Sequence, residues 1–187
     1  MTAKLTLISL GLISSICFAA LEMQPIPRTS TGQFRAEGLF EGGSFTAANI
    51  EELRLASHGN FERLVIDFSA ENNRMKGLAA PRFQLRYIKG ERKTPARGQS
   101  VAVRLPKFIL ILRNIRKNFL HDSAIKKLIA RSNLLKDIIL YPPVEEGDMA
   151  LELTLKKDVL FEPHQPLEKE GRLVLDIKES RETSVSK

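Results

Sequence analysis

Along most of the chain, apolar and polar residues alternate with a period of two. Side chains on an extended strand point to opposite faces in turn, so this alternation predicts strands with one buried face. Leu53 and Leu55 alternate with Glu52 and Arg54, and His58-Gly59-Asn60 then reads as a turn. After it, Leu64, Ile66 and Phe68 face one way, and Arg63, Val65 and Asp67 the other. Phe83, Leu85 and Tyr87 alternate with Arg82, Gln84, Arg86 and Ile88. The clearest alternation is Met149, Leu151, Leu153 and Leu155 against Ala150, Glu152, Thr154 and Lys156. Val101–Leu105, Leu134–Tyr141, Val159–Glu162 and Arg172–Ile177 complete the predicted strands, with prolines ending the first two. Phe108–Leu112 is apolar at every position, which predicts a central strand buried on both faces. Residues 70–81 and 90–100, rich in Asn, Gly and Pro, read as loops.

One segment changes period. Ile125, Leu128 and Ile129 fall at helical spacing, with Asp122 or Ser123 placed to cap the helix and Asn133 to stop it. So short a helix must dock on a sheet to persist. The expected fold is therefore mostly β: a two-sheet β-sandwich with one short helix and pseudo-repeated strands. The repeat is Arg63-Leu64-Val65-Ile66-Asp67-Phe68 and Arg172-Leu173-Val174-Leu175-Asp176-Ile177. Each copy sets Arg and Asp four apart on one face, flanking a valine. Two similar sheets would place one copy in each layer.

The beginning of the chain has a different character. Lys4, the apolar run Leu5–Phe18, and then Ala19 and Ala20 have the order of a secretory signal peptide cut after Ala19. The run is short for a membrane span, which needs about 20 apolar residues. Cleavage removes Cys17, the only cysteine, and with it any disulfide or thiolate site. Residues 20–48, with Pro25, Pro27 and Gly42-Gly43 and no apolar period, read as a flexible tether. The folded domain is expected over 49–178, and 179–187 as a polar tail.

Charge is unevenly spread. From Arg82 to Lys136 there are fifteen Lys or Arg against two acids, whereas Asp137 to Lys187 has twelve acids against seven bases. Such a split predicts a basic face for an anionic partner. Export argues against nucleic acid and for anionic polymers of the envelope. Catalytic sets are lacking. His58, His121 and His164 lie far apart in predicted loops, without metal-ligand spacing. No serine elbow or phosphate-cradling glycine loop is present. The acidic turn Glu145-Glu146-Gly147-Asp148 has too few ligands for a calcium loop. The expectation is a non-catalytic protein needing no metal or cofactor.

Three stretches carry a resemblance: His58–Phe68, Pro81–Tyr87 and Gly171–Ile177. Over about residues 50–178 the order of these pieces resembles the AMIN (amidase N-terminal) and AMIN-like domains of cell-envelope proteins. The resemblance implies a two-sheet sandwich that binds or localises to peptidoglycan in the periplasm. It implies no particular binding residues. From the residues themselves, Arg82, Gln84 and Arg86 share one strand face suited to carboxylates, and Arg104, Lys107, Arg113, Arg116 and Lys117 could extend the patch. Two other readings are a lipid or lipopolysaccharide carrier, with Phe108–Leu112 as an apolar slot beside Arg113, Arg116 and Lys117, and an adaptor that recruits another envelope protein.

Overall fold

A computed structural model describes residues 22–44, 47–70, 80–92, 103–141, 147–166 and 171–180. The proposed signal sequence and the polar tail beyond Ser180 lie outside these residues, as does most of the two expected loops. The strands run β1 (Met23–Pro25), β2 (Leu39–Gly42), β3 (Ala48–Ser57), β4 (Glu62–Ala70), β5 (Phe83–Ile88), β6 (Glu91–Arg92), β7 (Val103–Arg104), β8 (Lys107–Leu112) and β9 (Ile115–Asn118). Helix α1 (Asp122–Arg131) follows, then β10 (Leu135–Tyr141), β11 (Met149–Leu155), β12 (Val159–His164) and β13 (Arg172–Glu179).

The strands form the expected sandwich. One sheet has the order β1-β2-β5-β8-β11-β10 and the other β12-β13-β4-β3-β9, with β6 and β7 as a separate ribbon. Pairing is antiparallel except for β1 with β2 and β3 with β9. The alternating apolar residues do what their spacing predicts. Phe83, Leu85, Phe108, Leu110, Leu112, Leu151, Leu153 and Leu155 from one sheet meet Leu64, Ile66, Leu173, Leu175 and Ile177 from the other. Phe161 joins the layers, its ring 4.9 Å from that of Phe108, 5.2 Å from Tyr87 and 5.8 Å from Phe40. Tyr87 keeps its hydroxyl satisfied by donating to Asp158 Oδ1 at 2.8 Å. The β3–β4 hairpin turns at the expected place, where Gly59 takes φ +69°, a conformation open to glycine.

Helix α1 is present, with Ile125 and Leu128 buried against the core and Ile129 packed on it. Its cap differs from expectation. Residue His121 occupies the cap position, with no side-chain bond, and Asp122 is already helical. The chain leaves the helix at Ser132, whose Oγ accepts the N–H of Leu134 and Leu135 and donates to Glu62 Oε2 at 2.5 Å. Glu62 is buried on the inner face of β4, so this bond ties the helix end to the second sheet.

Three further expectations need correction. Residues 22–44 are not a tether: β1 and β2 extend the first sheet, and Phe40 is 2% exposed in the core. The segment lacks an apolar period because backbone pairing and one distant carboxylate hold it. Strand β8 is central but not buried on both faces. Phe108, Leu110 and Leu112 point into the core, whereas Ile109 and Ile111 are half-buried on the outer face. Finally, the repeated strands do not sit one in each layer. They are β4 and β13, hydrogen-bonded neighbours in the same sheet.

Candidate functional site

The pairing of β4 with β13 explains the repeat. Antiparallel register sets Arg63 opposite Asp176, Val65 opposite Val174, and Asp67 opposite Arg172. Because each strand carries Arg-x-Val-x-Asp on its outer face, reversal brings every arginine to the partner's aspartate. Arg63 donates from Nε and Nη2 to the two oxygens of Asp176, both at 2.7 Å. Arg172 donates from Nε to Asp67 Oδ1 at 2.5 Å, and Arg54 on β3 donates to Asp67 Oδ2 at 2.6 Å. The result is a valine pair flanked by ion pairs on the outer face of the second sheet.

That face is the floor of a groove of about 1010 Å³. The volume lies at the upper end of the range for small-molecule sites. Across the floor run His164 of β12, Arg172 and Val174 of β13, Arg63 and Val65 of β4, and Glu52 to Ala56 of β3. Residues Arg28, Thr29 and Ser30 form one wall. Ala124, Lys127, Leu128 and Arg131 of α1 form the other.

Each wall has a local cause. On the first, buried Glu162 of β12 accepts Ser30 Oγ at 2.9 Å, Thr31 N at 2.5 Å, Thr31 Oγ1 at 2.8 Å and Gly32 N at 3.1 Å. Burial pushes the Glu162 carboxyl up, but these donors outweigh it and hold the group below its ordinary value. On the second wall, burial of Ile125 and Leu128 turns Lys127 and Arg131 away from the core.

The groove is strongly cationic. Arg54 and Arg63 are paired, and hydrogen bonds to Asp67 and Asp176 raise their already high pKa values. Arg28, Lys127 and Arg131 are exposed and have no acidic partner among the described residues. Among the described residues, Glu52 is the single acid in the lining, 3.7 Å from Arg54. His164 departs from the loop position expected for it: it ends β12 and is buried. Burial lowers its pKa, with partial opposition from Asp176, whose Oδ2 is 4.0 Å from Nδ1. The ring is therefore neutral near pH 7, and Arg63 is the cation that neutralises Asp176.

The residues singled out from sequence lie elsewhere, and none of the eight lines this groove. Gln84, Arg86 and Lys107 share the outer face of the first sheet, with Arg86 opposite Ile109 and Gln84 opposite Ile111. Lys107 there donates to Glu152 at 2.8 Å and lowers that carboxyl's pKa. Arg82 precedes β5, where its carbonyl accepts the N–H of Arg113, and the Arg113 side chain is bonded to Asp148. Arg104 is on the β6–β7 ribbon, and Arg116 and Lys117 are on β9 at the edge of the second sheet. These eight residues are thus spread over both sheets and the ribbon rather than gathered into one patch.

Among the described residues, no three His, Cys, Asp or Glu side chains are grouped to hold a metal, and no helix is long and apolar enough to cross a membrane. No protein-family model matches the chain, and no curated protein matches it.

Proposed function

We propose that the chain is a non-catalytic, AMIN-like module of the cell envelope that binds peptidoglycan through the cationic groove. One observation carries the reading: Arg28, Lys127 and Arg131, which have no acid partner among the described residues, line the same groove. Cations left unpaired around a concavity attract an anion rather than stabilise the fold. Peptidoglycan is the carboxylate-bearing polymer that an exported protein meets. The Arg–Asp pairs of the floor hold the guanidinium groups in fixed orientations, and arginine can present two parallel donors to a carboxylate.

The test is co-sedimentation of the exported form, residues 20–187, with purified sacculi over a salt series. Binding should fade as salt rises, because exposed charges are screened within about 10 Å at 0.1 M. Lys127→Glu with Arg131→Glu should abolish pelleting at low salt. Arg82→Glu with Arg86→Glu should leave it unchanged. The reverse result would move the site to the outer face of the first sheet. No pelleting of the unaltered protein at any salt would end the peptidoglycan reading.

An adaptor role has one observation in its favour. On the outer face of the first sheet, exposed Ile139 and Tyr141 stand in the same cross-strand rows as half-buried Ile109 and Ile111. The lipid-carrier reading loses its motive, since Phe108, Leu110 and Leu112 are core and form no slot.

A further inference from the structure

We infer that the groove takes a short acidic peptide laid across the strands, not a glycan chain. The inference rests on the groove being the binding site proposed above, and it names which chemical part of the polymer enters. Four strands, β12, β13, β4 and β3, cross the floor in that order. At about 4.8 Å between neighbours they span about 14 Å. At one end the segment carrying Arg28 is bonded to Glu162 of β12, and at the other α1, which carries Lys127 and Arg131, packs against β3. Val65 and Val174 lie between, side by side. A matching ligand has anionic groups at both ends and small apolar groups in the middle. An extended peptide advances about 3.3 Å per residue, so about five or six residues join the two ends.

A glycan is the poorer match. The C–H faces of sugar rings pack well on aromatic rings, yet among the described residues no Phe or Tyr lines the groove, and the chain has no Trp at all. Aliphatic side chains of valine and leucine suit the methyl groups of alanine-like residues instead.

The experiment uses a synthetic hexapeptide with glutamate at each end and four alanines between, titrated by calorimetry into residues 20–187. Saturable binding is expected, weakening at least tenfold when either terminal glutamate is replaced by glutamine. Arg28→Glu should weaken binding by a similar factor, as should Lys127→Glu with Arg131→Glu. Arg82→Glu with Arg86→Glu should not. The peptide should also release the protein from sacculi, whereas glycan strands stripped of their peptides should not. No binding of the hexapeptide, or equal binding of its neutral form, would overturn the inference. So would release by peptide-free glycan as efficient as by intact fragments, even though peptidoglycan binding itself would then stand. Hexapeptide binding without sacculus binding would keep the peptide chemistry and remove peptidoglycan as its source.

Discussion

Asp176 is 1% exposed and depends on Arg63 for its charge balance. Removing one member of a buried pair leaves the other uncompensated and costs on the order of 3 kcal/mol. Arg63→Ala should therefore lower stability in urea denaturation by about that amount. Replacing the pair together, Arg63→Met with Asp176→Leu, should cost much less. His164 gives a pH dependence of defined sign. Burial holds its pKa below the ordinary 6.5, so the unfolded chain takes up a proton before the folded one does. Its contribution to stability is complete above pH 6.5 and is lost as pH falls through the folded value. Denaturation midpoints at pH 7.5 and 5 should thus differ more for the unaltered protein than for His164→Gln. At this scale the sequence was informative about the Arg-x-Val-x-Asp pattern, because alternation alone assigns those residues to one outer face. Which aspartate each arginine meets depends on register between segments more than a hundred residues apart, and no local signal encodes that.

Among the elements, the strands and the helix were legible because each buries one face with a simple period. The segment 22–44 was not. Its place in the fold depends on three-residue β1, four-residue β2 and the Glu162 carboxylate, and none of these leaves an apolar rhythm around Arg28. The groove wall containing Arg28 was missed for the same reason. Lys127 and Arg131 were visible as the polar side of a helix, but only its docking on the sandwich makes that side a wall. Glu162 offers the test at this scale. Glu162→Gln removes the charge from four hydrogen bonds and should cost about 1–2 kcal/mol. It should also speed hydrogen exchange at Thr31 and Gly32. Since the carboxyl is held below its ordinary 4.5, its contribution is present above pH 4.5 and is lost as pH falls through the lowered value. The unaltered protein should accordingly lose more stability than the variant between pH 5 and 3.

For the molecule as a whole, the pairing of β4 with β13 has a consequence for folding at high concentration. Read in reverse, Arg63-Leu64-Val65-Ile66-Asp67 is complementary in charge to itself as well as to Arg172-Leu173-Val174-Leu175-Asp176. A β4 strand can therefore pair antiparallel with the β4 of another chain, arginine to aspartate at both ends and valine to valine at the centre. The native register has a close competitor in every neighbouring molecule, of the kind that leads to exchanged strands. The competition is absent at low concentration, where the chain's own β13 is always nearer. Refolding yield should fall as protein concentration rises, with strand-exchanged dimers as the by-product in size-exclusion chromatography. Asp67→Arg combined with Arg172→Asp and Arg54→Asp keeps opposite charges between position 67 and both of its neighbours but sets like charges against each other when β4 or β13 meets its own copy. That variant should refold with a yield far less sensitive to concentration.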